Sequence, residues 1–224
     1  TTVAPDGSEE FPGGIRTVTG ATLRGLTGGD GFLWFGVVRP DSGTTYTTGI
    51  RSEIRGWNMA GGAGDDFTAA TIPEGEVVWT IYYYLGNLFV LTKGGMTTRI
   101  YRGVVSQDGT VSLSVVVEHQ SSSYYPASGT LFAGCGNKVA FAWPTMTRLG
   151  RGGIGVIDLS TGGYARWHSD TSSPVSWVAS VVRVNDDFAF SLGDSAVFMS
   201  EACLLGFDPL RVESGFLETS SSDL

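Results

Sequence analysis

Short apolar runs, cut at regular intervals by Gly, Asn and Asp, dominate the chain from residue 77 onward. Residues 77–84 read VVWTIYYY, 88–92 LFVLT, 99–105 RIYRGVV and 111–118 VSLSVVVE. β-Branched and aromatic side chains in runs of this length suit a pleated, half-buried surface and predict strands. The separators are Gly86-Asn87, Gly94-Gly95 and Asp108-Gly109. These residues tolerate the positive φ that tight hairpins need. No segment of about ten residues or more sustains a 3.6-residue period. The pattern predicts an all-β chain of meandering antiparallel strands.

The same sequence of features recurs. Gly86-Asn87 precedes LFVLT, Gly136-Asn137 precedes KVAFAW (138–143), and Asn185-Asp186 precedes DFAFSL (187–192). The turns are 50 and 49 residues apart. A strand precedes each of them, at 77–84, 130–135 and 177–184, and another follows, at 99–105, 153–160 and 196–202. A fourth, outer strand falls at 111–118 and 164–169, and residues 210–216 are available for that place in the last unit. A degenerate earlier copy runs through 17–26, 32–38, 44–51 and the stretch around Trp57.

Four-stranded units at a period of roughly 50 residues predict a β-propeller, because one such blade can cover its faces only against its neighbours. On this reading residues 1–212 form the blades, divided as 1–74, 75–128, 129–174 and 175–212. Residues 213–224 form an exit strand or linker toward a following domain. Propellers close with about 4–8 blades. Four units therefore make either a small ring or part of one completed outside this chain. Two stacked sandwiches are the alternative architecture.

Composition narrows the partners. The chain has 224 residues, a net charge of −8 and 14 lysines and arginines, of which only Lys93 and Lys138 are lysines. A nucleic-acid binder needs a basic face, so no nucleic-acid partner is expected. No run of roughly 18 apolar residues is present, and no membrane insertion is expected. Six Trp, eight Tyr and twelve Phe argue against disorder. The chain begins Thr1-Thr2-Val3 and ends in a Ser-rich stretch, and reads as a piece of a longer polypeptide.

The search for chemistry returns little. Cys135 and Cys203 lie 68 residues apart in apolar surroundings, which predicts buried free thiols. His119 and His168 are too few for a histidine-rich metal site, and no cofactor or metal is predicted. Gly193-Asp194-Ser195 begins like a lipase block, but no His follows Ser195, and the stretch reads as a hairpin turn. Gly61-Gly62-Ala63-Gly64-Asp65-Asp66 is glycine-rich without a following helix and reads as a loop.

Glu118, Asp158 and Glu201 fall at or near strand ends. Glycoside hydrolysis needs a carboxylate pair ~5–10 Å apart. On third and outer strands, away from a propeller axis, these three read as solvated rim charges. Exposed aromatics are the better binding candidates. Tyr124 and Tyr125 sit in a Ser-rich loop, and Trp167 with His168 ends an outer strand. Rigid rings of this kind offer contact area at low entropic cost, to a sugar or to a protein.

The Gly-rich units of about 50 residues, the scarcity of lysine and the terminal Glu213-Ser214-Gly215-Phe216-Leu217-Glu218-Thr219-Ser220 resemble propeller segments in large virion proteins of tailed bacteriophages. That resemblance implies a virion location in a tail, fibre or neck-associated protein. It implies a non-enzymatic structural or host-attachment module. The partners implied are other virion proteins, copies of itself in a symmetric assembly, and a host-surface glycan or protein. No catalytic residues carry over. Ser106-Gln107-Asp108-Gly109-Thr110 also resembles part of the Asp-box turn of sialidase-type propellers. A carbohydrate-binding or glycoside-hydrolase propeller using Glu118 or Glu201 is the alternative function. A bacterial extracellular scaffold that binds proteins is the third.

Overall fold

Residues 2–3, 9–10, 16–17, 21–40, 50–60, 66–120, 131–143, 153–169, 178–185, 187–192, 196–200 and 215–219 are described in a computed structural model of the chain. All of their regular structure is β. The chain divides into two compact units, 1–118 and 119–224. Three two-residue strands, β1 (Thr2–Val3), β2 (Glu9–Glu10) and β3 (Arg16–Thr17), form a small antiparallel ladder.

The first meander comprises β4 (Thr22–Gly29), β5 (Phe32–Pro40), β6 (Ile50–Asn58) and β7 (Asp66–Thr71), paired antiparallel in that order. It departs from the sequence reading in three places. The first strand is Thr22–Gly29 rather than 17–26, and Thr17 belongs to β3. The third strand continues from Ile50 to Asn58, beyond the expected 44–51, and takes in Trp57; residues 44–49 lie outside the described residues. The fourth strand is Asp66–Thr71, at the end of the stretch that reads as a glycine-rich loop. Burial accounts for the extension: Ile50, Ser52, Ile54 and Gly56 alternate inward along β6, in full register with β5 from Phe32↔Asn58 to Pro40↔Ile50.

The second meander follows the sequence reading closely. It comprises β8 (Val77–Tyr84), β9 (Asn87–Gly94), β10 (Thr97–Val105) and β11 (Val111–Gln120). Leu85 and Gly86, with φ of 47° and 74°, close the β8–β9 hairpin. Paired positive φ values match the twist of the flanking strands.

The two meanders of the first unit share a core. Strand β8 lies across β4, β5 and β6. Trp34, Val38, Ile54, Val78, Ile81, Leu88, Val90 and Tyr101 are buried in one cluster. Two glycines permit the close approach. At Gly36 a Cβ would stand 2.5 Å from Val78 Cγ1 and 2.8 Å from the Arg24 carbonyl. Gly25, at φ +65°, would place one 2.6 Å from the Ile81 nitrogen. Thr27 Oγ1 accepts a hydrogen bond from the Tyr83 backbone N–H at 3.1 Å, pinning β8 to the first meander.

The second unit holds β12 (Phe132–Cys135), β13 (Lys138–Trp143), β14 (Gly153–Asp158) and β15 (Tyr164–Ser169) in one antiparallel sheet. A fifth strand, β19 (Gly215–Thr219), pairs with β15. β16 (Val178–Val184), β17 (Asp187–Leu192) and β18 (Ala196–Ser200) form a three-stranded antiparallel sheet, with β16 against β12 and β13. Of the residues offered for a fourth strand here, 210–214 lie outside the described residues, and Gly215 and Phe216 belong to β19 instead. Cys135 is a buried free thiol; Cys203 lies outside the described residues.

Candidate functional site

The densest cluster of chemistry among the described residues is a polar row across the second meander. Glu76 immediately precedes β8, Thr92 lies on β9, Arg99 on β10 and Glu118 on β11. Antiparallel pairing aligns them: Val78 faces Thr92, and Thr92 faces Arg99. Directly opposed residues project to one side of a sheet, so the strands deliver these polar groups to a common line.

Glu76 is only 4% exposed. Thr92 Oγ1 donates to its Oε2 at 2.6 Å, and the Tyr101 hydroxyl lies 3.0 Å from Oε2 and 3.2 Å from Oε1. The Arg99 Nη1 donates to Glu76 Oε1, while its Nε donates to Glu118 Oε2 at 2.6 Å. Ser52 of β6 fixes the backbone. Its hydroxyl donates to the Glu76 carbonyl at 2.7 Å and accepts the Val78 N–H at 3.3 Å. The carboxylate is therefore met by a guanidinium and two hydroxyls, as a buried charge requires.

A tyrosine hydroxyl on a buried carboxylate has the makings of an activated nucleophile. The electrostatics here run the other way. Burial, and then the charge of Glu76, push the Tyr101 phenol up to about 12. An activated phenol needs a lowered value. Tyr101 is also packed in the core cluster and is 6% exposed. Arg99 is held cationic, first by its hydrogen bond to Glu118. The arrangement works as a closed clasp within the second meander, and Ser52 ties its backbone to the first.

The other candidate acids also have structural engagements. Asp158 Oδ1 accepts Ser160 Oγ at 2.5 Å, Ser160 N at 2.8 Å and Thr161 N at 3.3 Å. The Ser160 hydroxyl foremost among these holds its carboxyl below the usual value. Asp108 does the same 50 residues earlier, accepting Thr110 N at 3.0 Å and Thr110 Oγ1 at 2.8 Å. Both close the hairpin between the third and fourth strands of their sheets, as Asx turns do. Glu118 is bound by Arg99 on the neighbouring strand. Glu201 lies outside the described residues.

Tyr124 and Tyr125 also lie outside them. Trp167 and His168 are consecutive on β15, whose backbone is flanked on both sides. Trp167 pairs with Ile154 and Leu217, and His168 with Gly153 and Phe216. The addition of β19 makes this strand an interior one, which no pattern in the sequence announced. His119 is buried on β11. A shallow concavity of about 190 Å³ on the third sheet is lined by Lys138, Val156, Asp158, Gly163, Tyr164 and Ala165. Among the described residues no group of three or more His, Cys, Asp or Glu is placed to hold a metal ion.

Sequence reasoning missed Glu76. It reads as loop, between Pro73-Glu74-Gly75 and the apolar run of β8. The signal available was Arg99, a cation near the start of β10, which needs a carboxylate close to its rung.

No family model and no curated protein matches the chain. Three solved structures are similar to it at low identity. A computationally designed protein, Ika4, aligns at 13% identity and TM-score 0.47, over 80% of this chain and 89% of that one. A puromycin hydrolase S511A mutant, complexed with PGG, aligns at 9% and 0.45, over 88% of this chain and 38% of that one. A glycosyl hydrolase from Bacteroides ovatus aligns at 9% and 0.28, over 80% of this chain and 64% of that one.

Proposed function

We propose that this chain is a non-enzymatic β-propeller module that serves as a structural and attachment part of a tailed-phage virion protein. The observation that carries the scaffold reading is the way the first two meanders combine. Each is a four-stranded antiparallel sheet, and β8 of the second lies across the face of the first through a shared apolar core. Sheets that cover one another in series are the working principle of a propeller. The recurrence of the Asp108 and Asp158 turns at the same hairpin of successive sheets supports a structural repeat. The virion assignment rests on the resemblance of the Gly-rich units and of residues 213–220.

The described carboxylates favour a framework role. Glu76, Asp108 and Asp158 each receive several donors from neighbouring residues. Function then resides in surfaces displayed by a rigid body, as is usual for repeat architectures. The test is recovery from purified tailed particles of the source, by mass spectrometry and antibody labelling. Labelling at the tail, neck or fibre is expected. Recovery from the particle-free fraction alone overturns the virion reading. Turnover of host-surface polysaccharide by the purified protein overturns the non-enzymatic one.

A further inference from the structure

The side of the first meander that buries Phe35 and Val37 also carries a second row of charge, and it does not close among the described residues. Arg39 on β5 stands directly opposite Arg51 on β6. On the same side of β6 follow Glu53, opposite Val37, and Arg55, opposite Phe35. Glu53 is divided among three partners. Its Oε2 is 3.6 Å from Arg55 Nη1, 3.9 Å from Arg39 Nη2, and accepts Thr68 Oγ1 at 3.1 Å. Arg55 makes its short contact elsewhere, with Asp66 Oδ2 at 2.6 Å.

Among the described residues, that leaves the Arg39–Arg51 end of the row short of negative charge. Arg39 meets a carboxylate only at the limit of ion-pair distance, and its Nε is buried without a hydrogen-bond partner among the described residues. Arg51 is exposed and has no ion pair among them. Like charges directly opposed across two strands are destabilising. The chain as a whole has an excess of acids, at net charge −8. An arginine pair so weakly compensated among the described residues is a local conflict, and such conflicts concentrate where function requires them.

We propose that Arg39 and Arg51 form a binding site for an oxyanion, a carboxylate or phosphate group carried by a ligand. A guanidinium presents a planar fork of N–H donors that matches both groups bidentately. Two forks on one side of adjacent strands, Cβ atoms ~5 Å apart, converge on a single anion. Bound at the accessible Nη ends, the anion removes the repulsion. The site does not depend on the virion assignment, and its test fails separately from that one.

Titration of the whole chain with inorganic phosphate and, separately, with glucuronate, followed by NMR of the arginine Nε–H signals, tests it. Saturable shifts of Arg39 and Arg51 are expected in the millimolar range, and the tighter arm identifies the group. Arg51→Ala is expected to weaken binding about tenfold and to leave the melting temperature unchanged or slightly raised, since it relieves the repulsion. Arg39→Lys, which keeps the charge and loses the fork, is expected to fall between. Arg183→Ala, an exposed arginine on β16, serves as the control. Absence of saturation with both anions overturns the proposal, as does equal weakening in Arg183→Ala, which would mean diffuse charge alone.

Discussion

Two rows of charge cross the two meanders of the first unit, and they are built in opposite ways. In the second meander Glu76 is buried and receives Arg99, Thr92 and Tyr101, while Glu118 takes the other side of Arg99. In the first, Glu53 is shared among Arg39, Arg55 and Thr68, and Arg51 stands outside the row of ion pairs. Residue types are nearly the same in both. The difference lies in completeness of pairing, since Glu53 and Arg55 are about as buried as Arg99. A charge withdrawn from water must be fully met, and then it holds elements together. A partly exposed charge with incomplete pairing stays available to a ligand. Framework and recognition are thus separated by pairing rather than by composition.

The largest expected effect comes from opening the closed row. Glu76→Ala leaves the Thr92 and Tyr101 hydroxyls without their buried acceptor and Arg99 with Glu118 alone, and is expected to cost about 2–3 kcal/mol, read as a fall in the urea midpoint. An unchanged midpoint would mean that the buried row does not stabilise the second meander. Next is the close approach beneath it. Gly36→Ala forces a Cβ into Val78 and the Arg24 carbonyl and is expected to cost about 1–3 kcal/mol. The same substitution at Gly86, where a Cβ has open space, tests instead the positive φ of 74° and is expected to cost less.

The pH limits sharpen the comparison further. Tyr101 is raised from the ordinary phenol value of 10 to about 12, so its neutral form is favoured by folding. Its contribution is complete below pH 10 and is lost as pH rises toward 12. Tyr101→Phe is expected to remove one late-titrating phenol from the alkaline absorbance curve. At the acid end the sign reverses. Asp158 is lowered, so its contribution is present above the unfolded aspartate value of about 3.9 and fades as pH falls through the folded value. Asp158→Ala is expected to flatten the acid limb of stability slightly, and an unaltered limb would remove that turn from the account.

The second meander was legible because each of its cues agrees. Its apolar runs have strand length and its turns carry Gly-Asn and Asp-Gly, so propensity and burial give the same bounds. The first was harder for a physical reason. The inward alternation of Ile50, Ser52 and Ile54 carries β6 on to Asn58, past small and charged residues that do not read as an apolar run. Bulges between Arg24 and Leu26 and between Ile54 and Arg55 blur the two-residue period as well. Neither charged row was visible beforehand. Arg39 and Arg51 are separated by 12 residues in the chain and become neighbours only through register. Glu76 and Glu118 are 42 residues apart and meet through Arg99. The pairing of β19 with β15, which encloses Trp167 and His168, is likewise a long-range event that local pattern cannot announce.

The central proposal is that the two four-stranded sheets of the first unit cover one another as propeller blades do. A crystallographic or cryo-electron-microscopic structure of the purified protein tests it most directly. The account predicts the two sheets of residues 21–120 packed face to face as neighbouring blades, with β4 and β8 as their innermost strands. Two separately stacked sandwiches, with those strands at outer edges, would contradict it.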